Sequence, residues 1–356
     1  MNNHLKQYRM TLKTMSPIHI GSGETIGKRE YIYDKREQNV YFPDLHKIIN
    51  ALKKHSLLGE YEKFLLGKPG DLFRFLTDNR VNWKTWCDKP ISVRGVADEQ
   101  FNQISTFVKD PYGYPYVPGS SLKGAFRTIA LCHEARRRRL DPRLPEPRTM
   151  RKNPREAKDI EASLLNILER NEKKKSNAVN DIMAAYRFSD SKPISRDALA
   201  ICRKIDCPTA GKNRDPKSLP TFRECIIPGT LITLTLTIDT ALLRGKRQLP
   251  DFLELLADFN AAYYEGFQKF FPQTEPNSSN TIYLGGGTGF LTKTMLLGLP
   301  SGKRLNFTAG YLDKTFRKHK HHEDIRLGVS PHTLKLTEYY GNLYEMGMCE
   351  VDIKEV

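Results

Sequence analysis

Three glycine-bearing segments hold the residues best suited to chemistry. In the first, His19 precedes Gly21, Ser22 and Gly23, with Lys28 a few residues on. In the second, Ser120, Ser121, Lys123 and Gly124 lead to Arg127. In the third, Gly285, Gly286, Gly287 and Gly289 precede Lys293. Small residues let backbone N–H groups approach a phosphate, a helix N-terminus adds partial positive charge, and Lys or Arg adds a full one. The chemistry is anion binding, and His19 fits it as a hydrogen-bond donor to the same ligand. Neither loop is a nucleotide-hydrolase P-loop. Around Gly27-Lys28 the first glycine would be Ser22 and the closing Ser/Thr is Arg29; before Lys293-Thr294 the second glycine is Thr292. A dinucleotide fingerprint fails because Phe290 stands where its last glycine belongs.

Catalysis needs an acid and a base, or a metal cluster. His19 has no titratable neighbour in sequence, and Ser120-Ser121 lacks the G-x-S-x-G setting of a hydrolase. His319, His321 and His322 sit in the run FRKHKHHEDIR, whose Lys and Arg oppose a dication, so a mobile basic loop is expected there. Cys202, Cys207 and Cys225 lack zinc-site spacing, and six cysteines without a CxxC pair read as free thiols. No metal and no cofactor are expected. Tyr31, Tyr33 and Tyr41, and Tyr112, Tyr114 and Tyr116, lie near basic residues and could stack bases.

The elements that position these residues come from periodicity. The chain has 356 residues, 39% hydrophobic and 28% charged, with Lys+Arg 57 against Asp+Glu 41. That composition excludes wholesale disorder, and a net charge of +16 points to a polyanion partner, most often nucleic acid. The first ten residues carry no apolar signal core, and no apolar run spans a bilayer, so a cytoplasmic protein with no membrane partner is expected. Period two from Tyr8 to Ile20 predicts a strand with a basic outer face, followed by a turn at 21–23 and a hairpin over 30–43. Residues 45–80 read as interrupted helix. Leu122, Phe126 and Ile129 predict a helix capped by Ser120 or Ser121.

Residues 134–175 read as a helix end, a mobile basic loop and an amphipathic helix around Ile160–Leu168, and 203–220 as a connector. A strand then covers 226–239, an aromatic-faced helix follows Pro250, and strand, glycine loop and helix follow one another over 281–299. The tail reads as a hairpin of 333–339 and 343–353 turning at Gly341-Asn342. The fold class is α+β, with two ferredoxin-like (RRM-like) domains, Gly-rich loops and a basic helical insertion. The domains are expected at 1–220, including the insertion at about 134–185, and at 221–356.

Taken in order, SPIHIGSG, YVPGSSLKGAFR, RFSDSKPI and IYLGGGTGF resemble the RAMP superfamily of CRISPR–Cas systems. With the ending SPHTLKLTEYYGNLYEMGMC, their order resembles a filament-end subunit of type III-A effector complexes. The resemblance implies RAMP domains whose glycine loops hold crRNA. It also implies a place at the 3′ portion of the crRNA, contact with the repeated backbone RAMP subunit and other Csm subunits, target single-stranded RNA met through the assembled complex, and support of crRNA maturation. The backbone subunit cleaves with an Asp after its first strand; here that stretch offers Glu24 and Asp34, and Asp34 is poorly placed at a strand end. A non-catalytic subunit is therefore expected. The alternative is a metal-independent repeat-processing endoribonuclease with His19 as base.

Overall fold

The computed structural model describes residues 4–67, 70–87, 89–93, 102–140, 154–212 and 215–356. In β1 (Leu5–Thr14), Met10 and Leu12 face inward while Arg9 and Lys13 face solvent, as period two requires. β1 lies between β10 (Leu231–Asp239) and β14 (Met348–Glu355), antiparallel to both, and β7 (Tyr186–Phe188) and β11 (Thr281–Tyr283) complete this five-stranded sheet.

The second sheet runs β2 (Gly21–Gly27), β6 (Gln103–Phe107), β9 (Lys217–Ile226), β8 (Leu199–Pro208), β5 (Ile91–Ser92), β4 (Asn39–Tyr41), β3 (Ile32–Asp34). β12 (Thr333–Tyr339) pairs with β8, and β13 (Asn342–Glu345) with β12. Together the sheets and their helices make two ferredoxin-like α+β units. The boundary expected at residue 220 falls inside β9, and each sheet draws strands from both sides of it.

α1 (Leu45–Lys54), α2 (Leu58–Leu66) and α3 (Leu72–Asp78) pack on the β3–β4 hairpin around Ile32, Tyr41, Leu52 and Leu76. Tyr41 is thereby buried, while Tyr31 and Tyr33 are buried in the main core, so all three pack rather than offer stacking faces; Tyr112 and Tyr114 are exposed. α4 (Gly119–Arg137) and α6 (Phe252–Gly266) meet through Phe126 stacked on Phe252, with ring centroids 4.6 Å apart. α5 (Pro154–Leu165) packs on α4, and α7 (Ser301–Thr315) follows the third glycine segment.

Several expectations are corrected. Gly21–Gly23 is not a turn but the start of edge strand β2, with a bulge between Gly21 and Thr25. Residues 203–220 are mostly strand, because the charges of β8 pair across the sheet: Arg203 with Glu338 at 3.3 Å and Asp206 with Lys335 at 2.7 Å. Residues 291–298 form 3-10 turns, and the helix starts only at Ser301. The tail hairpin is β12–β13, after which the chain crosses to the other sheet as β14. Within the basic segment, buried Glu134 collects Arg137 and Arg138, and Arg138 also donates to the Ser163 and Leu164 carbonyls at the end of α5. The loop expected between these helices falls largely on 141–153, outside the described residues.

Candidate nucleic-acid interface

After Thr14 the chain leaves one sheet for the other. Ile18 exchanges two backbone hydrogen bonds with Ile226, at 3.0 and 2.8 Å. His19 consequently turns inward and is 6% exposed. Its Nδ1 lies 2.7 Å from the Glu224 carbonyl oxygen. A carbonyl only accepts, so Nδ1 carries the proton and Nε2 is the acceptor. Burial, outweighing the Glu224 hydrogen bond and reinforced by the charges of Arg223 and Lys293, pulls the pKa of His19 down to about 4. At neutral pH the ring is uncharged and turns an acceptor toward Gly21, where the sequence reading expects a donor.

The third glycine segment closes over the same residue. Gly286 N–H donates to the His19 carbonyl at 2.6 Å. Gly285 has φ +78°, and a Cβ there would overlap that carbonyl oxygen. A third segment locks both: Leu284 N–H donates to the Gly347 carbonyl at 2.8 Å, and Gly347 N–H to the Pro17 carbonyl at 3.0 Å. Gly21–Gly23 and Gly285–Gly289, far apart in sequence, therefore meet at His19. In the first segment Ser22 is engaged, its hydroxyl 2.6 Å from that of Thr106.

β9 adds two residues of opposite fate. Glu224 is fully buried, and its carboxylate accepts from Phe107 N–H at 2.7 Å and Lys109 Nζ at 2.9 Å. Arg223 is half-buried, with Nη1 3.5 Å from Met346 Sδ, and burial lowers its pKa. Partial desolvation and the charge of Arg223 lower that of Lys293, whose side chain reaches solvent. Neither cation pairs with a carboxylate among the described residues. Two uncompensated cations, two glycine segments and an imidazole acceptor lie together, an arrangement whose chemistry suits an anion beside a hydroxyl donor. Sequence reasoning missed Arg223, which looks like an ordinary strand residue until the glycine loop is placed beside it.

The second segment is built differently. No side chain caps α4 at Pro118; instead Asp190 Oδ1 accepts from Gly119 N–H at 2.8 Å, and Ser191 Oγ accepts from Val117 N–H at 2.9 Å. Gly119 abuts the Phe188 and Ser189 carbonyls so closely that no Cβ fits. Two of the sequence motifs, VPGSS and RFSDS, are thus halves of one clamp. Ser120 and Gly124 are exposed, and Ser121 and Lys123 half-buried. Burial lowers the pKa of Lys123. Arg127 is held by Asp181 and by Glu161 at 3.1 Å, which ties α4 to α5. Lys28 lines a separate groove with Arg29, Leu65 and Gln103.

Of the run expected as a mobile basic loop, His319 and His322 are exposed on 3-10 turns, whereas His321 turns inward to meet His332. These last two are buried, and both place Nδ1 on the carboxylate of fully buried Asp324, His321 at 2.9 Å; the Ser330 hydroxyl joins at 2.7 Å. Burial alone would raise the pKa of Asp324, but these hydrogen bonds carry it down to about 2. The three groups are close enough to ligate a metal. As they stand they complete one another's hydrogen bonds and tie the 321–327 turn to the start of β12. Asp34 is likewise structural, accepting from Arg36 and Glu37 N–H within its hairpin turn.

Over residues 11–291 the chain matches the RAMP superfamily. It is 31% identical to the CRISPR system Cms protein Csm5 of Mycobacterium tuberculosis (strain CDC 1551 / Oshkosh), covering 99% of each chain. It is 31% identical to the Csm5 protein of Streptococcus thermophilus, over 83% of this chain and 82% of that one. Its fold matches a chain of a Csm–crRNA–target RNA ternary complex of a type III-A CRISPR–Cas system, with TM-score 0.64, 23% identity and coverage of 97% and 100%. The crystal structure of T. onnurineus Csm5 matches with the same TM-score of 0.64, covering 96% and 99%. The chain belongs to the RAMP superfamily and, within it, to the family of the Csm5 proteins.

Proposed function

We propose that this chain is the RNA-binding, non-catalytic subunit of a type III-A CRISPR (Csm) effector ribonucleoprotein, acting in antiviral defence in the cytoplasm. It holds the 3′ portion of the crRNA at the end of the filament, abuts the repeated backbone RAMP subunit and other Csm subunits, meets target RNA through the assembled complex, and supports crRNA maturation. The observation that carries this reading is the pair Arg223 and Lys293, without carboxylate partners, beside Gly285–Gly289 and His19. Ser120–Gly124 and Lys123 extend the phosphate track along α4, and Arg127, Gly21–Gly23 and Lys28 flank it. His19 accepts a hydrogen bond, as from a ribose 2′-hydroxyl, through Nε2. Its neutral ring has Arg223 and Lys293 as its charged neighbours, and both are assigned here to phosphate rather than to a proton-transfer pair.

The test is the salt dependence of binding to single-stranded RNA. With four to six phosphates neutralised, the log–log slope is roughly −3 to −4, and Arg223→Ala or Lys293→Ala each removes about 0.7 of it while weakening all sequences alike. A flat salt dependence overturns the assignment. Incubated with crRNA precursor, with and without Mg²⁺, the purified chain leaves the RNA intact. Discrete cuts lost in His19→Ala would make it an endoribonuclease instead.

A further inference from the structure

Beside Lys293 a cavity of about 420 Å³ opens between α4, α5 and α7. Its size falls in the range of pockets for nucleoside-sized ligands. Its wall is a file of three near-parallel rings: Phe290 and Tyr311 with centroids 5.8 Å apart and 17° between planes, Tyr311 and Phe307 at 6.1 Å and 12°. All three rings are half-buried, so the file is not sealed in the core. Arg127 and Lys293 stand at its border. Lys293 also belongs to the cationic pair at the glycine loop, so one side chain joins the anion site to the aromatic cavity.

We propose that this cavity receives a single RNA base, turned out of the strand and stacked on the Phe290–Tyr311 file, while its phosphate lies against Lys293 and the glycine loop. The inference rests on the RNA-binding reading and adds a base subsite to it. An apolar protein side chain would use the rings but leave Lys293 without a partner, Arg127 being already held by Asp181 and Glu161; a nucleotide uses both the rings and Lys293. Stacking on a ring tolerates every base, so the subsite fixes register along the strand rather than sequence.

The experiment uses the full chain and a set of single-stranded RNAs, each with 2-aminopurine at one position. One position shows strong fluorescence quenching on binding, and an abasic residue there weakens binding about 5- to 100-fold. Phe290→Leu and Tyr311→Leu abolish the quenching and bring a similar loss, and the abasic RNA then costs these variants nothing further. The abasic arm leaves the protein unaltered, so it stands even where a variant folds poorly. If Arg223→Ala weakens binding but no position is quenched and no abasic residue matters, the base subsite is refuted and the RNA reading survives. If Arg223→Ala also has no effect, the RNA reading itself fails. If Phe290→Leu spares RNA binding but breaks association with other subunits, the cavity takes a protein side chain and the proposal is overturned.

Discussion

Substituting Gly285 tests whether the two distant glycine segments are locked together at His19. Gly285→Ala puts an L-residue at φ +78°, which costs about 1–2 kcal/mol. Its Cβ also collides with the His19 carbonyl oxygen, so the loop must withdraw and lose the 2.6 Å bond from Gly286 N–H. That loss is worth about 1–2 kcal/mol, because it strands a buried acceptor. The total is about 3 kcal/mol. Gly289→Ala is the control: φ is +93°, but nothing lies within 4 Å of the added Cβ, so only the backbone strain of about 1–2 kcal/mol applies. With an unfolding entropy near 2.1 cal/mol/K per residue, each kcal/mol moves the melting temperature of this chain by about 1.3 °C if it unfolds as one unit. Scanning fluorimetry should then place Gly285→Ala about 4 °C below wild type and Gly289→Ala about 2 °C below. RNA affinity falls further in Gly285→Ala, because the loop parts from His19. A Gly285→Ala chain that melts no lower than Gly289→Ala would refute the packing of this loop on the His19 carbonyl.

Glu345 is buried against Tyr263, Gln268 and Tyr283, and burial, opposed by their hydrogen bonds, raises its pKa from 4.5 to about 7. The folded state keeps a proton that the unfolded state releases, so this group's stability is complete below pH 4.5 and declines by about 3 kcal/mol as pH rises to 7. His19, lowered from 6.5 to about 4, acts in the opposite sense: its contribution is present above pH 6.5 and falls away toward pH 4. The difference between wild type and Glu345→Gln isolates the first effect, and the variant should gain relative to wild type between pH 5 and 8; parallel melting curves would refute it. At the start of α4, Asp190→Ala should cost about 1–2 kcal/mol by urea unfolding while Ser120→Ala costs about zero, since Asp190 holds the terminal N–H. The reverse order would restore the serine cap.

What could be read ahead was whatever depends on local periodicity. The Thr alternation of LITLTLTID announces β10, and Phe252, Leu255, Leu256, Phe259 and Tyr263 announce the buried face of α6. What could not be read depends on partners far along the chain. Arg203, Lys204 and Asp206 make β8 look like a connector until Glu338 and Lys335 arrive to pair with them. Ser120 has the right chemistry for a cap, but Asp190, 71 residues beyond Gly119, takes the position. Tyr31, Tyr33 and Tyr41 look like stacking faces because nothing in their own segment says that three helices cover Tyr41 and the main core covers Tyr31 and Tyr33. Arg223 becomes a candidate phosphate ligand only beside a glycine loop and a lysine that follow it by more than 60 residues.

The placing of β1 between β10 and β14 governs how the molecule is made. As the polypeptide leaves the ribosome, β1 emerges before both of its neighbours, one encoded more than 200 residues later and the other more than 300. At about 5–20 residues per second, the β14 side of β1 stays open for tens of seconds. Throughout that time a strand with one apolar face and unpaired N–H and C=O groups is available to any other nascent chain. Expression of this protein should therefore depend on chaperone capacity more steeply than its size suggests. A premature stop before β14 should yield insoluble material rather than a shorter soluble fragment, because the strand left bare is the central one of its sheet.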